Sequence, residues 1–222
     1  MQNDTSRRSL FYYCTLVLLS HAFGREVIAW GSGIGKVEGR LSRAICRCAI
    51  SKCSRFETRD LRSLALARHI VGTRAIDGVD LCERAGALCP DEARVNFLLG
   101  RIFGREIPRF VAVALKGNAD IELRAEVARM LVADKERGRE VVFFVMCESE
   151  DKTVSEEMAR IVGGRVAENI TLADLCGILR RADATYSMRL HALIASRLAG
   201  CPTFALGKEE KLSGYMGQWG KD

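Results

Sequence analysis

Two side chains that can do chemistry at neutral pH, an arginine and a histidine, stand two positions apart in the segment 187–191. The segment follows a predicted strand, Ala184–Tyr186, and opens a predicted helix, Arg189–Leu198. A guanidinium matches the geometry of carboxylates and phosphates, and a histidine can donate a hydrogen bond or move a proton. We predict Arg189 and His191 as catalytic residues facing an anion; the alternative is a capping arginine and a packed histidine.

Two more cations follow predicted strands in the same way. Arg59 follows the strand Phe56–Thr58, and Lys116 follows the strand Phe110–Leu115. Ligands of open α/β sheets bind at the carboxyl ends of the strands. We therefore predict Arg59 and Lys116 as substrate-binding residues. The alternatives are an ion pair between Arg59 and Asp60 at a helix start and an ordinary loop lysine.

A glycine-rich loop, Gly31–Lys36, lies between a predicted strand and a predicted helix. Glycines at such a place let backbone N–H groups approach an anion, so Gly33 and Gly35 are predicted substrate-binding residues. Two stronger motifs do not fit, because Lys36 replaces the last glycine of a dinucleotide fingerprint and Val37 replaces the hydroxyl residue of a P-loop. A tight turn without a ligand is the alternative.

The elements that position these residues alternate along the chain. Short apolar runs such as Val141–Met146 alternate with longer amphipathic segments such as Asp120–Arg137. This alternation predicts an α/β fold of parallel βαβ units with helices on both faces of the sheets. We predict two domains, residues 1–104 and 105–222, joined by a linker at 104–108.

Two charged runs lie between these elements. The acidic residues Glu148, Glu150 and Asp151 follow a strand, and we predict either a solvated loop or a cap by Asp151 for a helix at 154–162. The run 208–211 is predicted as a solvated loop. Thr171 and Asp174 have the spacing of a capping box and predict a helix start.

Charge is distributed unevenly along the 222 residues, which carry a formal net charge of +6. Residues 1–108 hold 17 basic and 11 acidic residues, whereas residues 109–222 hold 17 of each. The basic first half predicts an anionic partner, either a small phosphate or carboxylate, a nucleic acid or a membrane surface. A composition of 48% hydrophobic and 28% charged residues excludes disordered and collagen-like chains.

Nine cysteines are present, an odd number, and no pair has Cys-x-x-Cys spacing. This usage predicts free thiols in a reducing cytosol rather than a disulfide framework. Cys46, Cys48, Cys53 and His69 do not match a common zinc spacing. We predict no metal site.

The first segment, 5–24, resembles a secretory or twin-arginine signal because Arg7 and Arg8 precede the apolar run Leu10–Leu19. The run is shorter than the roughly 20 apolar residues that a membrane-spanning helix needs. Gly24 and a strand-like segment follow it, which favours a buried helix of an α/β domain.

Four stretches together resemble the polysaccharide pyruvyl transferase family, of the CsaB type. They are Thr5-Ser6-Arg7-Arg8-Ser9-Leu10, Gly33-Ile34-Gly35, Thr58-Arg59-Asp60 and, most specific of the four, Ser187-Met188-Arg189-Leu190-His191-Ala192-Leu193. The resemblance spans most of the chain. It also implies that Lys211 binds substrate, since it matches the lysine of a Tyr-Asp-Pro-Lys pattern that is otherwise only loosely followed.

The resemblance implies a GT-B-like architecture of two Rossmann-like domains facing a cleft, with the acceptor on the first domain and the donor on the second. It implies transfer of pyruvate from phosphoenolpyruvate to two hydroxyls of a sugar, which belongs to a cell-envelope polysaccharide or to its lipid-linked precursor. The product is a cyclic ketal, and no cofactor is expected. Relative to the family pattern we expect an incomplete first domain and a missing C-terminal part. The expected location is the cytoplasm, at the inner face of the membrane.

Three other functions remain open at this point. A glycosyltransferase of the same fold would use a nucleotide sugar, and a fragment without catalysis would bind only a partner or an anion. Nucleic-acid binding is permitted by the basic first half, but no aromatic-rich stacking motif supports it and we do not expect it.

Overall fold

The structure, a computed structural model, describes residues 7–35, 37–84, 88–208 and 210–217, without the side chains of Arg7, Glu210 and Lys211. Lys36 of the glycine-rich loop and Glu209 of the charged run therefore lie outside the described residues. The described chain divides into two compact units, one up to Arg84 and one within 85–216. The predicted linker at 104–108 belongs to the second unit.

The first unit is a three-stranded parallel sheet with helices, and its strand order is β1-β2-β3. Its elements are α1 (Arg7–Ala22), β1 (Ile28–Ser32), α2 (Arg40–Ser51), β2 (Arg55–Thr58), α3 (Leu61–Val71) and β3 (Ala75–Asp77), with short 3₁₀ turns at Gly72–Arg74 and Leu81–Glu83. The core of this unit lies between α1, α2, α3 and the sheet.

The first helix is confirmed, but its burial is not. Leu10 and Cys14 are buried against the core of the first unit. The apolar run is longer than this one face, so the opposite side of α1 leaves large side chains exposed, among them Phe11, Tyr12, Tyr13, Leu16 and Leu19. Among the described helices none has the length and apolar character needed to cross a membrane.

The second unit contains a five-stranded parallel sheet in the order β6-β5-β4-β7-β8. Its elements are α4 (Glu92–Phe103), β4 (Phe110–Ala114), α5 (Ile121–Glu136), β5 (Glu140–Phe144), α6 (Glu148–Val162), β6 (Arg165–Ala167), α7 (Leu172–Leu179), β7 (Ala184–Ser187), α8 (Leu190–Leu198), β8 (Thr203–Ala205) and α9 (Glu210–Met216). The predicted α/β class with parallel sheets is confirmed. The strand order reverses between β4 and β7, which is the topological switch point of a doubly wound sheet.

The central strand β4 shows why the sheet is covered on both faces. Every residue of β4 is buried, and alternate side chains point to opposite faces. Phe110, Ala112 and Ala114 join the core formed with α4, α7 and α8. Val111 and Val113 join the core formed with α5 and α6. Full burial of a side chain such as Phe110 stabilises the fold by roughly 2–3 kcal/mol.

Two charged runs differ from their predictions. Helix α6 begins at Glu148 rather than at 154, so the acidic residues form its first turn instead of a solvated loop. The positive end of the helix dipole favours carboxylates at this position. Helix α9 begins at Glu210, inside the run predicted as a loop.

The predicted capping box at the start of α7 is confirmed. The Thr171 side chain accepts a hydrogen bond from the Asp174 N–H at 3.1 Å, and the Asp174 carboxylate accepts one from the Thr171 N–H at 3.3 Å. The same carboxylate accepts a hydrogen bond of 2.8 Å from Arg94 Nε, which links α4 to α7.

Candidate functional site

The carboxyl edge of the first sheet brings two predicted residues together, Gly33 and Arg59. Arg59 follows β2, and its N–H donates to the Ser32 carbonyl at 3.3 Å. A Cβ placed on Gly33 would lie 2.8 Å from Arg59 Cζ, so the guanidinium covers the face of this glycine. The loop after β1 therefore needs a residue without a side chain where the arginine lies. Gly35 follows in the same loop and is partly buried.

Asp60 explains how Arg59 and the start of α3 are held. One oxygen of the Asp60 carboxylate accepts from the Ser63 N–H at 2.6 Å, which caps α3. Its other oxygen accepts from Arg59 Nε at 3.1 Å. Ser63 Oγ in turn accepts from the Ile34 N–H at 3.0 Å, so α3 is tied to the glycine-rich loop. The predicted ion pair between Arg59 and Asp60 is present.

A second charged group, absent from the sequence predictions, lies beside this edge. The buried carboxylate of Glu57 pairs with Arg55 and with Arg84. The Arg84 guanidinium lies over the Trp30 ring, 5.2 Å from its centroid, where a cation and an aromatic ring attract each other. This group ties β2 and the segment after β3 to β1.

The switch point of the second sheet brings together the ends of β4 and β7. Ala114 and Ser187 are register partners in these neighbouring strands. Lys116 and Arg189 each lie two residues beyond them, on the carboxyl side. The sequence therefore placed both cations at the correct edge, in the position where open α/β sheets bind ligands.

Ser187 fixes the backbone around Arg189. Its buried Oγ accepts a hydrogen bond from the Arg189 N–H at 2.8 Å and donates one to the Arg189 carbonyl at 3.0 Å. Arg189 is the N-cap residue of α8 but makes no capping hydrogen bond with its side chain. The guanidinium is therefore directed away from its own helix.

That guanidinium contacts two carboxylates from the first turn of α6. Its Nε donates to Asp151 Oδ2 at 2.9 Å, and its Nη2 pairs with Asp151 Oδ1 as well. Nη2 also donates to Glu150 Oε2 at 2.6 Å. Asp151 is fully buried and accepts a further hydrogen bond of 3.0 Å from the Cys147 N–H. Within the described residues, Nη1 donates no hydrogen bond.

The electrostatics of Arg189 follow from this arrangement. Burial alone lowers the pKa of the guanidinium, but the hydrogen bonds and attraction of Asp151 and Glu150 outweigh it and raise the pKa. Arg189 is therefore charged at every physiological pH. Two carboxylates contact this one guanidinium, so an anion that binds Arg189 must compete with them.

A glycine holds the loop after β4 against the start of α6. A Cβ on Gly117 would collide with the carbonyl oxygen of Glu150. Arg124 braces the same loop from α5, since its Nε donates to the Ala119 carbonyl at 2.8 Å and its Nη2 to the Gly117 carbonyl at 3.3 Å. Lys116, partly buried, precedes this close contact.

The remaining predicted residues are placed as follows. His191 lies in the first turn of α8 and is exposed, so the alternative of a packed core histidine is wrong. Arg189 occupies the N-cap position of α8, but its side chain does not cap the helix. The side chain of Lys211 lies outside the described residues, although its backbone belongs to α9.

Three residues that shape this edge are not among the predicted site residues: Glu150, Asp151 and Gly117. A signal for the two carboxylates was available, because they follow β5 and therefore reach the same sheet edge as the arginine that follows β7. Their pairing with Arg189 was not predictable from spacing, since 38 and 39 residues separate the partners.

Comparison with known proteins gives one family and one fold. The family model described as polysaccharide pyruvyl transferase matches residues 1–209. A search of curated proteins found no significant match.

Solved structures resemble the chain at low sequence identity. The UDP-GlcNAc 2-epimerase from Neisseria meningitidis bound to UDP-GlcNAc has a TM-score of 0.59 at 10% identity, covering 90% of this chain and 57% of that one. A putative UDP-N-acetylglucosamine 2-epimerase from Listeria monocytogenes has a TM-score of 0.57 at 10% identity, covering 91% and 56%. The chain thus spans little more than half the length of these epimerases, and the likeness concerns their GT-B-type fold.

Proposed function

Because the chain belongs to the polysaccharide pyruvyl transferase family, we propose that it takes part in transferring pyruvate from phosphoenolpyruvate to a sugar. The acceptor is a saccharide of a cell-envelope polysaccharide or its lipid-linked precursor, and the product is a cyclic ketal. The reaction takes place at the cytosolic face of the membrane. It needs no cofactor, because the donor already carries the leaving group.

The observation that carries this proposal is the pair of cations at the switch point of the second sheet, Lys116 and Arg189. Phosphoenolpyruvate carries a phosphate and a carboxylate, so its site needs several fixed cations. Lys116 supplies a point charge after β4, and Arg189 supplies a guanidinium fixed by Ser187 and Asp151.

Each proposed role follows from the chemistry of the transfer. One sugar hydroxyl adds its oxygen to C2 of the enol and gives up its proton as C3 takes one. The second hydroxyl then replaces phosphate at C2, and its proton passes to the leaving phosphate. Phosphate leaves with the bonding electrons, and the ketal retains both sugar oxygens. His191, exposed at the start of α8, contacts the phosphate or moves a proton. Arg59, Gly33 and Gly35 serve the acceptor on the first unit, and Lys211 adds a further cation.

Purified protein with phosphoenolpyruvate and a nitrophenyl or lipid-linked sugar tests the proposal. We expect release of inorganic phosphate together with a ketal detected by mass spectrometry. His191→Asn should lower kcat at least about 100-fold, the usual contribution of a positioned acid or base. His69→Asn, an exposed histidine on α3, is the matched control and should retain activity. Absence of phosphate release with every acceptor contradicts the proposal.

A nucleotide sugar is the second candidate ligand, and the exposed carboxylate of Glu150 beside Arg189 favours it. With Arg189 held by two carboxylates, the exposed Glu150 offers acceptor oxygens suited to sugar or ribose hydroxyls. The epimerase from Neisseria meningitidis is bound to UDP-GlcNAc. Thermal protection by UDP-GlcNAc, with none by phosphoenolpyruvate, would favour this candidate.

A further inference from the structure

The two carboxylates that hold Arg189 differ sharply in their surroundings. The Asp151 side chain is 0% exposed, whereas the Glu150 side chain is 62% exposed. Asp151 contacts two nitrogens of the guanidinium and also accepts the Cys147 N–H. The Glu150 carboxylate accepts a hydrogen bond of 2.6 Å from Nη2 through Oε2. The contact with Asp151 is buried in the fold, whereas the Glu150 carboxylate is exposed at the surface.

The guanidinium has two edges that can bind an oxyanion in a bidentate way. Asp151 occupies the edge formed by Nε and Nη2. The other edge joins Nη1, which donates no hydrogen bond to any described residue, to the N–H of Nη2 that Glu150 holds. A substrate oxyanion can therefore bind in a bidentate way only after Glu150 has moved.

We propose that Glu150 is an exchangeable counter-ion of Arg189: a substrate phosphate or carboxylate replaces it on the Nη1–Nη2 edge, while Asp151 keeps the guanidinium in position. Asp151 is thereby a positioning residue and Glu150 a specificity-determining one. A neutral ligand does not displace a carboxylate from a guanidinium, so the exchange selects for anions. The inference rests on the proposed function, because it assumes that Arg189 meets an anionic substrate.

The backbone permits this exchange without moving the helix. The Glu150 carbonyl is packed against Gly117, and its N–H donates to the Cys147 carbonyl at 3.1 Å. The main chain of this turn is therefore fixed. Rotation of the exposed Glu150 side chain is enough to uncover Nη2, and an exposed ion pair is weak enough to be replaced.

Removing the charge of Glu150 tests the exchange directly. Binding of inorganic phosphate and of phosphoenolpyruvate is measured by calorimetry at low ionic strength for the wild type and for Glu150→Gln. We expect Glu150→Gln to bind both anions on the order of threefold to tenfold more tightly, since one opposing charge next to the guanidinium is gone. The gain should shrink as salt is added.

The matched control is Glu148→Gln, which removes the same charge from an exposed residue of the same helical turn. It should leave anion binding within about twofold of the wild type, because Coulomb attraction falls with distance and is screened at the surface. Combining Glu150→Gln with Arg189→Lys should abolish the gain, since an ammonium cannot hold Asp151 and a second oxyanion in the same forked geometry.

The results separate this inference from the proposed function. If Glu150→Gln and Glu148→Gln bind phosphate and phosphoenolpyruvate alike, or if no variant binds either anion, the exchange is wrong. If Glu150→Gln alone gains affinity but no ketal forms with any acceptor, the exchange stands and the proposed reaction falls. If ketal forms at equal rates and affinities in all variants, the reaction stands and the exchange falls.

Discussion

Arg59 and Arg189 each follow a parallel strand and precede a helix, yet their neighbours differ. Arg59 is paired with Asp60, the next residue in the chain, and its guanidinium covers Gly33. Arg189 is paired with Asp151 and Glu150, which belong to another helix. Because its partner is the next residue, Arg59 stays beside its glycine-rich loop. Arg189, whose partners are distant in the sequence, links α6 to α8.

This difference separates two uses of one residue type. Asp60 is needed by α3 whether or not Arg59 is present, because it caps the helix through the Ser63 N–H. Asp151, fully buried, depends on Arg189 for its counter-charge. Arg189 therefore contributes to the stability of the fold in addition to any role in binding a ligand. Arg59 mainly forms part of the surface of the glycine-rich loop.

Loss of each arginine should produce the largest contrast. Arg189→Ala leaves the buried Asp151 without its cation and should lower the free energy of unfolding by about 3 kcal/mol. Arg59→Ala should cost about 1 kcal/mol or less, because its pair is local and partly exposed. Urea denaturation followed by circular dichroism measures both.

The double variant Arg189→Ala with Asp151→Ala provides the control for this contrast. It should be more stable than the sum of the two single losses predicts, since neither charge is then left unpaired. Equal losses for Arg189→Ala and Arg59→Ala would show that the two arginines are held alike.

The second largest contrast is expected between two glycines at the sheet edges, Gly117 and Gly33, when each is replaced by alanine. Gly117→Ala pushes a methyl group into the backbone carbonyl of Glu150 and should destabilise the second unit by about 2 kcal/mol. Gly33→Ala meets only the movable end of Arg59 and should cost less than about 1 kcal/mol. Thermal unfolding measures both.

Gly100→Ala in α4 is the reference for these glycines, because nothing lies within 4 Å of the added carbon. It should be neutral or stabilising by about 0.5–1 kcal/mol. If Gly117→Ala proved as stable as Gly100→Ala, this result would contradict the close contact between the loop after β4 and α6.

The cap of α3 should give a smaller change on the first edge. Asp60→Ala removes the acceptor for the Ser63 N–H and should lower stability by about 1 kcal/mol. Asp60→Asn keeps a hydrogen-bond acceptor at this position and should therefore retain most of the stability that Asp60→Ala loses. Denaturant midpoints of the two variants measure the difference, and equal midpoints would show that the cap does not matter.

The smallest of the expected effects is a loss of stability of the second unit in acid, which depends on Asp174. Burial raises the pKa of this carboxyl, but the hydrogen bonds from Thr171 and Arg94 outweigh burial and hold the pKa below its ordinary value of 3.8. Its stabilising contribution is therefore complete above that value and is lost as pH falls through the lower folded pKa.

Asp174→Asn should remove this part of the acid dependence, which unfolding measured between pH 2 and pH 5 detects (about the range over which such a carboxyl titrates). The wild type should lose more stability than the variant on the acid side. Parallel pH profiles for the two proteins would contradict the linkage.

Much of this arrangement was predictable from local pattern. Apolar runs indicated β4 and β5, the spacing of Thr171 and Asp174 predicted the cap of α7, and the carboxyl-edge rule placed Lys116 and Arg189 correctly. These features depend on residues close in sequence or on a general property of parallel sheets.

The remaining features depend on distant contacts. Burial of Asp151 makes sense only once Arg189, 38 residues away, supplies the opposite charge. The exposed side of α1 likewise follows from what packs against it and not from its composition. The sequence left a loop or a cap by Asp151 open for the acidic residues before 154, whereas they form the first turn of α6, where the helix dipole favours carboxylates.

The cation over Trp30 gives the first unit a spectroscopic signature. The chain has two tryptophans, Trp30 and Trp219. In a Trp219→Phe variant, emission would come from Trp30 alone, whose half-exposed ring lies beneath Arg84. Its emission wavelength and quenching by iodide would then follow the ordering of β1 separately from the second sheet, which contains no tryptophan in its strands.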